Sequence, residues 1–239
     1  MNNYQFCTDF ILSNYDVHSI KVLDFGCGSG NLVEYMLLSN INCYGCDIYY
    51  EGGSSENLPH KDLLKNHKIL CMESESIPFE NSSFDLIVSN QVFEHIPNIE
   101  KALSEISRVL KPDGKVLALF PHKSVWREGH SGIPFLHWFH QNSKYRIYYA
   151  LVLHKLGLGY FRDDKNSLQY AHYWCEWLDN YTYYRSYEEL VYKFNLHFKR
   201  ITHIEYLWFN SRLGNILIPN YFKKIFVQKF AGLALILEK

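Results

Sequence analysis

Val22-Leu23-Asp24-Phe25-Gly26-Cys27-Gly28-Ser29-Gly30-Asn31-Leu32 runs from an apolar strand through a glycine-rich turn into the start of a helix. Glycines at such a junction let the chain turn sharply and let a ligand approach the main chain closely. Their spacing separates two kinds of ligand. The dinucleotide fingerprint GxGxxG places its third glycine where this chain has Asn31, and here that glycine comes one residue early, at Gly30. This argues against a nicotinamide or flavin dinucleotide. Asp47 closes the next strand, 21 residues after Gly26. A carboxylate there can accept hydrogen bonds from both hydroxyls of a ribose, so an adenosine-type ligand fits.

The same alternation extends outward. Lys21–Phe25, Asn42–Asp47, His67–Met72, Phe84–Ser89 and Lys115–Phe120 read as strands, and Asn31–Ser39 reads as a helix. Asn98 caps another helix, whose apolar positions Ile99, Leu103, Ile106 and Leu110 follow helical spacing until Lys111-Pro112-Asp113-Gly114 stops it. Alternating strands and helices predict a mostly parallel sheet with helices on both faces. Ser186–Leu196 reads as a helix, and Phe198–Leu207 and Leu233–Glu238 as strands that finish the sheet. The whole chain, 1–239, is expected to form one domain. Within it, residues 121–185 form an insertion, placed after a strand's carboxyl end as a lid or substrate platform.

Composition narrows the classes. A chain of 239 residues with 47% hydrophobic and 21% charged residues packs a real core. Its formal charge of -1 provides no overall field to attract nucleic-acid phosphates, and no basic stripe with interleaved aromatics is seen. Six cysteines at this length are not a disulfide framework, which points to a reducing cytoplasm. Cys43 and Cys46 have CxxC spacing but lie in an expected buried strand. The first residues lack the pattern of a secretory leader, and no apolar run is long enough to span a bilayer. Stable membrane insertion is therefore not expected, although peripheral contact stays open.

The chain resembles the class I S-adenosylmethionine-dependent methyltransferases, in the branch acting on small molecules and glycans. The resemblance covers residues of about 20 to 120. It rests on the glycine motif, on Glu75-Ser76-Ile77-Pro78-Phe79-Glu80-Asn81-Ser82-Ser83-Phe84-Asp85-Leu86-Ile87-Val88-Ser89, on Phe93-Glu94-His95-Ile96, and on Arg108-Val109-Leu110-Lys111-Pro112-Asp113-Gly114. It implies a Rossmann-like fold with a seven-stranded sheet and S-adenosyl-L-methionine as cofactor. By the same resemblance, Gly26, Gly28 and Gly30 would face the methionine part of the cofactor, with Asp24 near its amino group. Asp47 would take the ribose hydroxyls, Ile48 would pack on the adenine, and Asn90 would meet the methionine end. Glu73 and Ser74 stand where the family often has Asp.

Gln91-Val92-Phe93-Glu94-His95 is similar to an ExxEH segment that binds a divalent metal in some methyltransferases, with Gln91 in place of the first Glu. By that similarity a divalent metal stays open, but it is not expected. On the substrate side, His122, His137, His140 and His172 join His95 and His130 as candidate bases, and His95 and His130 are the expected catalytic pair of choices. The acceptor is expected to be small and to react through oxygen: a hydroxyl of a carbohydrate or lipid-linked glycan precursor. Alternatives are a quinone or natural-product hydroxyl, or a cofactor-binding module without turnover. Residues 120–239 hold 13 of the 19 tyrosines, all 5 tryptophans and 8 of the 12 histidines; most of the aromatics are expected to pack the lid, while Glu128–Trp138 combines turn formers, imidazoles and aromatics as a pocket wall does. Ile147–Leu158 is apolar enough for a buried helix or one touching lipid, and burial is the expectation. The oligomeric state is left open.

Overall fold

The structure is a computed structural model and describes residues 1–49, 59–73, 75–162 and 165–239. Lys21–Phe25 forms β1, flanked by β2 (Asn42–Asp47) and β4 (Phe84–Asn90), to both of which it runs parallel. β3 (Ile69–Cys71) extends one side of the sheet. On the other side lie β5 (Leu110–Phe120), β7 (Leu233–Glu238) and β6 (Arg200–His203). The order is β3-β2-β1-β4-β5-β7-β6, and β7 pairs antiparallel with both neighbours. This is the expected seven-stranded, mostly parallel, Rossmann-like sheet.

Strands buried on both faces read as continuous apolar runs, and β1, β4 and β7 do so. Alternate residues face opposite layers. Leu23, Phe25, Ile87 and Val116 pack against α4 (Ile99–Val109) and α7 (Tyr187–Asn195) through Leu103, Ile106, Leu190 and Phe194. Val22, Val88 and Leu117 pack on the other layer, with Phe6, Ile11, Leu32, Met36 and Trp208. Those residues come from α1 (Asn3–Asn14), α2 (Asn31–Leu38) and α8 (Glu205–Leu213). The short α3 (Lys61–Lys65) leads into β3.

Between β5 and α7, α5 (Lys144–Lys155) and α6 (Ser167–Tyr181) pack through a third apolar cluster that includes Ile133, Leu136, Ala150, Tyr170 and Trp174. α9 (Asn220–Phe230) follows α8 and precedes β7.

Several readings change. Leu110, expected on the helix that Asn98 caps, and Lys111–Gly114, expected as its stop, belong to β5. The strand expected over Phe198–Leu207 is confined to Arg200–His203, because Glu205 opens α8; its carboxylate is fully buried and accepts from Gln228 Nε2 and meets His203 Nδ1. The helix expected over Ile147–Leu158 begins at Lys144 and is buried on one face only: Arg146, Ala150 and His154 are covered, whereas Tyr145, Tyr148 and Val152 are exposed. The N-terminal α1, closed by an Asn2–Gln5 capping box, was not read from the sequence. Cys43 and Cys46 are buried, and being three residues apart on a strand they enter opposite core layers.

Candidate active site

The glycine turn leaves β1 with three positive φ angles, Gly26 at 76°, Gly28 at 51° and Gly30 at 95°. At Gly26 the need is also steric, since a Cβ would collide with the side chain of Val92; at Gly30 it would collide with Ile69 and Leu63. Gly26 and Gly30 thus let the turn lie against neighbouring elements. The Gly28 amide donates to Asp47 Oδ2 at 2.6 Å, tying the turn to the end of β2. Burial raises the Asp47 carboxyl, against the lowering effect of the Gly28 and Ile48 amides. A carboxylate has about four acceptor positions, so these two amides leave room for a diol. Ile48 is 36% exposed beside it, and Glu73 lies two residues past the end of β3, whose Cys71 is the register partner of Asp47. Ser74 lies outside the described residues.

Asp24 faces the α1 layer and is buried, and burial followed by the Asp47 charge pushes its carboxyl up to about 8. A cationic amino group brought to it would reverse that shift. Asn90, at the end of β4, accepts from Asn3 Nδ2 at 2.8 Å, so α1 closes over this end of the sheet. The chain then passes Gln91, in the left-handed region at φ 59°, and Val92, which presses on Gly26, before the 3-10 turn Phe93–His95.

That turn delivers His95 to His130. His95 Nδ1 lies 2.7 Å from the Tyr181 carbonyl oxygen, and His130 Nδ1 lies 2.7 Å from Glu128 Oε1. A carbonyl and a carboxylate can only accept, so both Nδ1 atoms carry hydrogen. The two Nε2 atoms are 3.2 Å apart. Two lone pairs would repel at that distance, so the contact calls for one further proton between them, which would give the pair a single positive charge.

The surroundings agree. Burial lowers His130, but the hydrogen bond and charge of Glu128 outweigh it and raise the group. Burial, then the His130 charge, brings His95 down to about 4. Glu128 is fully buried, yet the His130 hydrogen bond and charge, with amide and hydroxyl donors, hold it at about 2. Its donors include the Ser131 hydroxyl at 2.7 Å and the Tyr184 hydroxyl at 2.8 Å. Glu94, buried nearby, is pushed up to about 8 by burial. Trp177 covers the pair, its ring centroid 4.7 Å from His130 and 6.1 Å from His95.

Of the remaining candidate histidines, His137 packs on Tyr184 at 4.5 Å between ring centroids. His122 and His137 are buried and each brought down to about 4 by burial; His140 lines an apolar groove, and His172 is exposed on α6. Gln91 Nε2 donates to the Leu119 carbonyl at 3.2 Å, and among the described residues no group of three His, Cys, Asp or Glu could hold a metal ion.

Comparison with known proteins bears on the turn and the sheet. Residues 23–118 match the family described as a methyltransferase domain. They carry the sequence of a methyltransferase domain. Over 102 residues the chain is 39% identical to an uncharacterized protein of Methanocaldococcus jannaschii, covering 43% of this chain and 41% of that protein. Over 101 residues it is 30% identical to the sterol 4-C-methyltransferase strm-1 of Caenorhabditis elegans, covering 41% of this chain and 30% of that one. The chain therefore spans less than half the length of these relatives. Among solved structures, the complex between the Haloferax volcanii Trm112 methyltransferase activator and a methyltransferase matches with a TM-score of 0.52 and 18% identity, over 98% of this chain and 89% of that chain.

For this methyltransferase domain, S-adenosylmethionine is the cofactor of the family, and the glycine turn, Asp24 and Asp47 have the donor and acceptor chemistry to hold it. Sequence reading missed three contributors to the site. Glu128 and Tyr184 set the charge on His130. Arg185 donates to the carbonyls of Phe93, Ile96 and Pro97 and so fixes the loop that carries His95. Only Glu128, two residues before His130, had a local signal.

Proposed function

We propose that the protein transfers a methyl group from S-adenosylmethionine to a hydroxyl of a small acceptor, with the His95–His130 pair as general base. When bound, the cofactor supplies a methyl group activated for in-line displacement. Asp47 would hold the ribose and Asp24 the amino group, while the glycine turn admits the cofactor to the main chain. The observation that carries the reading is the 3.2 Å contact between two Nε2 atoms, backed by a buried carboxylate.

In the resting pair the shared proton blocks both Nε2 atoms. Loss of that proton would free a lone pair able to accept the hydrogen of an acceptor O–H. The proton returns the pair to its monocation. Glu128 is a positioning residue: it fixes the His130 ring and raises its basicity. Trp177 limits water at the pair, and a positioned base of this kind contributes about 10²- to 10⁴-fold.

A carbohydrate or lipid-linked glycan precursor is the acceptor class we favour, because the Trp177 ring lies against the pair and aromatic faces can pack on sugar rings. A second reading, a quinone or natural-product hydroxyl, draws on the apolar groove of about 680 Å³ lined by Phe135, Trp138, Phe139 and Tyr149. The test is release of S-adenosylhomocysteine in the presence of pooled glycosides, polyprenyl-linked sugars or hydroquinones. Turnover with a sugar pool that His130→Ala abolishes supports the proposal, and turnover only with hydroquinones selects the second reading. Cofactor binding without turnover in any pool would indicate a binding module.

A further inference from the structure

The outer face of α9 reverses the arrangement of an ordinary surface helix. Tyr221, Phe222, Ile225, Phe226 and Phe230, spaced three and four apart, are exposed, while Val227 and Lys223 are buried. Lys223 Nζ donates inward to Asn210 Oδ1 at 2.7 Å. Ahead of the helix, Ile216, Leu217 and Ile218 are also exposed, Leu217 completely.

The apolar surface continues across the fold as a chain of rings. Phe226 stacks on Phe230 at 4.6 Å between centroids, Phe230 meets Trp126 at 5.1 Å, Trp126 meets Phe135 at 6.4 Å, and Phe135 meets Trp138 at 4.7 Å. Phe135 and Trp138 open onto the groove that reaches Tyr145 at the start of α5. A contiguous exposed apolar surface of this extent marks an interaction site.

Charge selects the occupant. Residues 129–162 and 206–237 together contain no Asp or Glu and eight Lys or Arg, in a chain whose totals are 25 acids and 24 bases. Arg146 is answered by Asp179; Lys144 is exposed beside Tyr145, and Lys224 lies half-buried on α9. A two-fold contact between copies would set these cations against one another, with no acid in either stretch to pair them. An anionic bilayer offers the complement: phosphates for the lysines, the headgroup level for Trp and Tyr, and the acyl boundary for Phe, Leu and Ile. No helix among the described residues is long and apolar enough to cross a membrane, so the contact lies in the plane of the surface.

We propose that α9, the loop before it and the Trp126–Trp138 ridge dock this protein on an anionic lipid bilayer. The ridge belongs to the loop that carries His130: the Phe135 amide donates to the Trp126 carbonyl at 2.7 Å, and Arg127 bridges Pro134. Docking would therefore hold that loop against the bilayer. The proposal stands on the surface alone and is independent of the acceptor.

Flotation of the full chain with vesicles of phosphatidylcholine, or of phosphatidylcholine mixed with phosphatidylglycerol, tests it at low and high salt. The protein should float with the mixed vesicles, less so at high salt because exposed charges are screened. Phe222→Ser/Phe226→Ser should abolish flotation. Lys144→Gln/Lys224→Gln should weaken partitioning on the order of 30-fold, from the contribution of each lysine near an anionic surface. These positions are not buried, so melting by circular dichroism checks that both variants fold. No flotation of the wild type, or equal flotation of wild type and variants, overturns the proposal. So does a dimer in sedimentation velocity that Phe222→Ser/Phe226→Ser dissociates while the wild type ignores vesicles.

Discussion

Asp47 and His130 are both partly buried titratable groups, yet they are held in opposite ways. Asp47 ends a strand and is fixed by the amide of Gly28, a residue of the adjoining turn. Its geometry follows from backbone conformation over a short stretch. His130 is fixed by Glu128 beside it, by His95 35 positions away, and indirectly by Tyr184, 56 positions from Glu128. Its charge is a property of the packed segment over residues 121–185. The proposed cofactor end of the site is thus built from local backbone, and the proposed acceptor end from long-range side-chain contacts.

That contrast predicts separable defects. His130→Ala should lower turnover about 10²- to 10⁴-fold, the contribution of a positioned general base, while calorimetry with S-adenosylhomocysteine finds cofactor affinity unchanged. Loss of affinity in this variant would merge the two ends. Asp47→Ala should do the reverse and weaken S-adenosylhomocysteine by about 2–4 kcal/mol, through lost hydrogen bonds to a charged acceptor. Unchanged affinity would remove Asp47 from the cofactor site.

Gly30→Ala probes the turn itself. With φ at 95° and Ile69 and Leu63 in the way, it should cost about 1–3 kcal/mol in chemical denaturation. Asp24→Asn should instead stabilise the ligand-free protein by about 1–2 kcal/mol above neutral pH. The sign follows from the folded value of about 8 against an ordinary 3.8. Between those values the native state retains a proton that the unfolded chain has released, so stability falls as pH rises, and the amide removes that slope. The same variant should bind S-adenosylhomocysteine more weakly.

The ion pair between Glu128 and His130 has its own window. Glu128 is held at about 2 against an ordinary 4.5, so its stabilisation is lost as pH falls from 4.5 toward 2. His130 is raised above 6.5, so its share is present below 6.5 and lost as pH rises through its folded value. Stabilisation by the pair is therefore greatest between about pH 4.5 and 6.5. Turnover should rise with pH as the shared proton leaves. Glu128→Gln should move that rise to lower pH and reduce the plateau, the smallest of these effects and the one most specific to a positioning role.

What could be read from the sequence follows the same division. β1, β2, β4 and their turn were legible because Val22–Phe25, the glycines and Asp47 declare themselves within a few residues. The mostly parallel sheet followed from alternation with helices such as Ile99–Val109. The limits of β6 were not legible: Ile201 and Ile204 continue an apolar pattern, and only the buried Glu205, bonded to Gln228 and to His203, marks the change to helix. The closure by α1 was also missed, since Asn3 finds Asn90 across 87 positions. Both histidines could be nominated by residue type, but not the proton between them, which depends on Tyr181, Glu128 and Tyr184 meeting in space.

The central claim is that proton, and it can be observed without knowing the acceptor. Nitrogen-15 spectra of the imidazoles in the ligand-free protein, titrated around neutrality, should show His95 with hydrogen on Nδ1 and His130 with hydrogen on both nitrogens, the latter titrating above 6.5 in the wild type and lower in Glu128→Gln. Two neutral rings at pH 6, or a His130 titration unmoved by Glu128→Gln, would contradict the account.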